Sequence, residues 1–176
     1  MIKPRFLISG ILLLVAIGIV LANSYFGLKP KKILIKTQVE NTTIHYEKKS
    51  FWNVVGFSNI LKSQEKFKLD QISEFKKGLR YGASASNCKI EINELKKSTI
   101  LRCDVNNVIS KYGDSYTAEF EWLLNPLRLD FLDNNFKRSE DMLSWEGKIE
   151  GIPTAIILNF PAPINNCHAH VWWSKE

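Results

Sequence analysis

Between Cys88 and Leu124 the chain alternates apolar and polar residues with a period of two, and this most constrains its fold. Cys88, Ile90 and Ile92 interleave with Lys89, Glu91 and Asn93. Leu101, Cys103 and Val105 interleave with Arg102, Asp104 and Asn106, and Ala118, Phe120, Trp122 and Leu124 with Glu119 and Glu121. One apolar face at period two marks a half-buried antiparallel strand. The turns test the reading. Glu94–Lys97 has a common hairpin length, and pairing Asn93 with Ser98 sets Ile90 opposite Leu101 and Cys88 opposite Cys103. A second turn at Tyr112-Gly113, with Lys111 opposite Asp114, sets Val105 opposite Phe120 and Cys103 opposite Trp122. Both registers keep the apolar residues on one face, which a one-residue slip would destroy.

The same logic pairs Leu143, Trp145 and Ile149 with a following strand. A Glu150-Gly151 turn sets Trp145 opposite Ile156 and Leu143 opposite Leu158. Thr154 to Phe160 is apolar on both faces and reads as a central strand. Pro126 marks a bend, after which Leu127, Leu129 and Phe131 suggest a short strand, and Asn166 to Trp173 suggests the last one. Ile33–Val39 and Thr43–Glu47 read as two early strands. Asp70 suits a helix N-cap, Ile72, Phe75 and Leu79 share one helical face, and Gly82 suits a stop. Phe51–Leu61 suggests a second short helix. The expected fold class is α+β, mainly antiparallel β: a meander-rich sheet of about 7–9 strands with one or two packed helices.

Ahead of this domain, Phe6 to Leu28 holds twenty-three residues without a charge. About 20 apolar residues suffice to cross a bilayer, so residues 1–28 are expected to be a single membrane anchor or an uncleaved signal, with 29–176 one domain. Val20-Leu21-Ala22 also resembles a signal-peptide cleavage site. Lys3 and Arg5 argue for a cytoplasmic amino terminus, whereas Lys29, Lys31, Lys32 and Lys36 argue the opposite. Long translocated domains are placed largely regardless of charge, which favours an extracytoplasmic domain. A single amino-terminal hydrophobic helix before an antiparallel β-domain is similar to the general plan of pilins and related filament subunits. Those carry a glutamate near the start of that helix, and this chain has none there.

Charge is divided along the chain. Residues 29–80 carry 12 basic and 5 acidic side chains, and residues 81–176 carry 10 and 13. The basic half follows the apolar run and suits anionic lipid headgroups. Scattered lysines on a tethered exterior domain argue against nucleic acid as a partner.

Opposed residues in an antiparallel pair bring Cβ atoms to about disulfide distance. In an oxidising compartment Cys88 and Cys103 are therefore expected to bond. The alternative is two buried thiols acting as small hydrophobes. Near the end, His168 and His170 fall on one face of the expected strand, with Cys167 on the other. Two imidazoles so spaced suit zinc or copper if a third ligand joins them, for which His45 is a candidate. There is no phosphate loop, no Gly-x-Ser-x-Gly, no His-Glu-x-x-His and no Cys-x-x-Cys.

These features lead to a non-enzymatic, membrane-anchored exterior domain serving as a binding or accessory subunit of an envelope or membrane protein complex. Trp52, Trp172 and Trp173 are its candidate interface anchors. The alternative is an exterior binder of a small apolar ligand or lipid, held between a curved sheet and the Asp70–Tyr81 helix, or of a metal at His168 and His170.

Overall fold

The structure, a computed structural model, describes residues 29–174. The predicted anchor lies outside these residues. Among those described, no helix is long and apolar enough to cross a membrane.

Eleven strands and three helices are described. The chain opens with β1 (Lys32–Glu40) and β2 (Thr43–Phe51), then α1 (Val54–Lys62) and α2 (Gln64–Gly78). Next come β3 (Ser84–Asn93), β4 (Ser98–Asn106), β5 (Ile109–Tyr112), β6 (Ser115–Glu119) and α3 (Glu121–Leu127). The last third holds β7 (Lys137–Arg138), β8 (Met142–Ile149), β9 (Ile152–Asn159), β10 (Ile164–Cys167) and β11 (His170–Ser174). A seven-stranded sheet has the order β3-β4-β2-β1-β9-β8-β7, and a four-stranded sheet the order β10-β11-β6-β5. Every pairing is antiparallel except β1 with β9.

Period-two alternation gives the large sheet one apolar face. Ile35 and Val39 on β1, Ile44 and Tyr46 on β2, Leu101, Cys103 and Val105 on β4, and Ile156 and Leu158 on β9 are all buried. Two things cover this face. The small sheet brings Tyr116, Ala118, Val171 and Trp173 into the same core, and the helical elements bring Phe75, Trp122 and Leu124. Phe120 joins the two parts: fully buried, its ring lies 5.9 Å from Phe131 and from Phe160 and 6.3 Å from Trp122.

Two expected hairpins are present in the expected register, with Asn93 opposite Ser98 and Ile90 opposite Leu101, and with Trp145 opposite Ile156 and Leu143 opposite Leu158. The early pair and the helix near Phe51–Leu61 are present too. The expected central strand is β9, flanked by β1 and β8.

Five expectations are corrected. First, the strand over Tyr116–Leu124 stops at Glu119. The Phe120 carbonyl accepts the N–H groups of Leu123 and Leu124, which starts α3. Trp122, Leu123 and Leu124 are all buried, which a one-faced strand does not allow. β4 therefore pairs with β2, setting Val105 against Ile44 and Cys103 against Tyr46. Second, β5 and β6 join through Gly113-Asp114 with Tyr112 opposite Ser115, and Gly113 takes the positive φ of 61° that this tight turn needs. Third, Leu127 ends α3 and Arg128 caps it in the left-handed region, so Leu129 and Phe131 enter the core from turns and not from a strand. Fourth, residues 166–173 form a hairpin and not one strand: Cys167 pairs with His170 across a turn where His168 has φ 49°. Fifth, the long helix starts at Gln64 and ends at Gly78, leaving Asp70 internal and Gly82 outside. Its core face is as expected, since Ile72, Phe75 and Leu79 pack on the core.

Candidate functional site

Near the start of β1 the apolar face of the large sheet is not fully covered. A cleft of about 180 Å³ lies there between the sheet and helices α2 and α3. Ile33 and Ile35 form its sheet wall, with Ile149 and Thr154 beside them. Phe75 lines it from α2, Leu79 from just past the end of that helix, and Trp122, Leu123 and Leu127 from α3. Tyr46 forms the base. Its ring stacks on Phe75 at 4.7 Å and 16°, and meets the Trp122 edge at 5.9 Å and 72°. Burial pushes the Tyr46 phenol well above its ordinary range, so it stays a neutral hydroxyl. The Trp122 indole N–H is buried without a hydrogen-bond partner among the described residues.

The chemically distinctive residue is Lys48. It follows Tyr46 by two positions and shares its inward face, paired with Ile35 on one side and Leu101 on the other. A lysine at such a position buries its stem and extends its amine toward the rim. It is half-buried. Burial lowers the ammonium pKa, and the charge of Glu74 on α2 offsets this only in part. No carboxylate among the described residues comes within ion-pair distance of it. The cleft thus joins apolar walls, a neutral hydroxyl, and one cation with the Glu74 carboxylate beyond ion-pair distance.

The other candidate residues are dispersed. Cys88 and Cys103 form a disulfide joining the edge strand β3 to β4. His45 stands on the outer face of the large sheet, bonded to Asp104 at 2.7 Å and Glu40 at 3.1 Å. These contacts, the Asp104 hydrogen bond first, raise its pKa. His168 lies 3.3 Å from Asp130 in the β10–β11 turn, and His170 opens β11. The expected single strand carrying both is absent, and among the described residues no group of three His, Cys, Asp or Glu is placed to hold a metal. Trp173 is buried and Trp52 half-buried, with the Trp52 indole donating to Thr99 at 3.1 Å, so Trp172, 39% exposed, is the one exposed indole of the three. The side chain of Cys167 lies outside the described set.

Sequence reasoning passed over Lys48 because it ended the second strand at Glu47. The signal was available: Ile44, Tyr46, Lys48 and Ser50 continue one alternation, and a lysine on its apolar side is the anomaly.

Compared with known proteins, the chain matches no family model, and no curated protein matches it.

Proposed function

We propose that this domain binds a small amphipathic anion, with its apolar tail in the cleft and its charged head at Lys48. The observation that carries the reading is a lysine on the apolar face of the sheet, lining an uncovered cleft, with Glu74 acting on it only from beyond ion-pair distance. A charge so placed without a close partner is expensive, and an anionic ligand would supply a close one through a charge-assisted hydrogen bond. At roughly 30 Å³ per water-sized group, the cleft takes about six methylene-sized groups. This suits a short carboxylate chain or the end of a longer one. Burying six methylenes contributes about 5 kcal/mol before association costs.

The domain is read as extracytoplasmic, tethered by residues 1–28 and non-enzymatic. The disulfide supports an oxidising compartment. A protein-docking role has weaker support, because only Trp172 of the three candidate tryptophans is exposed.

The test is calorimetric titration of the full chain, held in amphipol, with octanoate, octanol and octylamine. Octanoate should bind at least tenfold tighter than octanol, with octylamine weakest, and Lys48→Met should erase that order. Equal binding of all three, or none of octanoate, overturns the reading.

A further inference from the structure

The sheet topology gathers an exposed apolar and lysine-rich surface at one end of the molecule. β1 begins there, and the Lys31 N–H bonds to the Phe51 carbonyl at the end of β2. The β3–β4 turn is at the same end, because Phe51 pairs with Ser98 and the Trp52 N–H bonds to the Lys97 carbonyl at 2.9 Å. The parallel pairing of β1 with β9, Ile33 beside Thr154, adds the β8–β9 turn. At this end Leu95 is 99% exposed at the tip of its turn, and Val54 and Val55 are 63% and 46% exposed at the start of α1. The same end of the sheet carries Lys31, Lys32, Lys96, Lys97 and Lys148, all exposed, along with Glu94 and Glu150.

A leucine projecting into water at a turn tip has no folding purpose, and three large exposed aliphatics at a lysine-rich end of the molecule make an interfacial surface. Its occupant is indicated by what adjoins it. The charge-free run Phe6–Leu28 ends one residue before Lys29, three residues before β1. A chain that leaves a bilayer at Leu28 brings this end of the sheet to the headgroups first. Lysine suits anionic lipid, and aliphatic tips suit the boundary just beneath it. We infer that this end is a membrane-contact surface, with Leu95, Val54 and Val55 entering the interface of an anionic bilayer and the lysines meeting its headgroups. This is independent of what the cleft binds.

Trp52 lies beside this surface and reports on it. The full chain is reconstituted into vesicles of phosphatidylcholine alone or with a third phosphatidylglycerol, each containing brominated lipid. Tryptophan quenching should at least double in the anionic vesicles, should disappear from the difference in Trp52→Phe, and should fall by half or more in Leu95→Glu with Lys96→Glu. Amide exchange gives a second readout that needs no substitution: residues 53–55 and 94–97 should exchange at least threefold more slowly in anionic than in neutral vesicles. Quenching and exchange indifferent to both lipid charge and the Leu95 substitution would overturn the inference and leave a domain merely tethered nearby.

Discussion

Replacing Lys48 with methionine is expected to stabilise the empty domain while removing its preference for an anion. Lys48 has Ile35 and Leu101 as its cross-strand neighbours, and methionine offers an unbranched, adaptable apolar chain at the same place. What disappears is an amine drawn partly out of water without a carboxylate at ion-pair distance. Leaving a buried donor unsatisfied costs about 1–3 kcal/mol, and half-burial puts Lys48 at the low end, so Lys48→Met should gain about 1 kcal/mol at pH 7. Urea unfolding would show this as a higher midpoint at unchanged slope, a shift of roughly 0.5 M for slopes of about 1–3 kcal/mol/M. The pH dependence has a definite sign. Burial lowers the Lys48 pKa in the native state, whereas the unfolded lysine holds its proton to about pH 10.4. Between those values the unfolded chain binds more protons, so native stability from this group rises with pH. The penalty is complete below the native pKa and gone above the unfolded one, and the advantage of methionine should shrink between pH 7 and pH 10.5. Octanoate should invert the order, since a ligand at a hundred times its Kd adds about 2.7 kcal/mol to the wild type alone. A Lys48→Met protein less stable than wild type at pH 7, or an advantage that grows with pH, would refute the argument: the amine would then be making a stabilising contact.

Other substitutions probe the frame around the cleft. The disulfide spans 15 residues, and converting both cysteines to alanine should cost about 2–3 kcal/mol by urea unfolding. Without reduction, alkylation should leave Cys88 and Cys103 unmodified. His45→Gln should cost less than about 1 kcal/mol at pH 5.5, because the pair is exposed, and nothing at pH 9. The raised native pKa makes the contribution of His45 complete below its unfolded pKa and lost as pH climbs through the native one; equal costs at both pH values would rule this out. A Cβ on Gly147 would stand 2.4 Å from the Trp145 ring, so Gly147→Ala should displace the indole, cost about 1–3 kcal/mol and change the tryptophan emission.

The sequence was most legible where a single turn joins two one-faced strands. The β8–β9 hairpin could be registered to the residue and β3–β4 as far as Lys89, beyond which a bulge shifts the pairing while the Cys88–Cys103 bond forms as expected. It was least legible where local patterns are ambiguous or partners are remote. Phe120-Glu121-Trp122-Leu123-Leu124 satisfies period two and one helical turn equally, and the Phe120 carbonyl decides for the helix. The His168–Ala169 turn carries no glycine or proline, so the last hairpin looked like one strand. The pairing of β1 with β9 joins residues some 120 positions apart, and no local periodicity reports it. The cleft depends on that pairing, because Ile33 meets Thr154 only through it. Its cation could nonetheless have been noticed as the one charged side chain in an inward row.

The placement of the cleft bears on what could reach it. Ile33 is the second residue of β1, Ile149 the last of β8 and Thr154 the third of β9. The cleft therefore occupies the same end of the large sheet as Leu95, Val54 and the lysines. β1 is hydrogen-bonded on both sides, to β2 and β9, so whatever holds its amino-terminal end fixes the sheet wall of the cleft directly. The opposite wall is different. Phe75 belongs to α2 and Leu79 follows its last residue; none of the residues of α2 is fully buried, and Glu74 beside Phe75 is exposed. A helix with so little buried surface opens at low cost compared with a central strand. If the cleft admits a ligand by movement, α2 is the wall that moves, swinging Phe75 off the Tyr46 ring while the sheet stays intact. Amide exchange would then be faster in α2 than in β1 and β2 in the empty protein, and octanoate would slow α2 selectively. Slowing spread evenly over α2 and the sheet would mean that the ligand stabilises the whole domain without closing a wall.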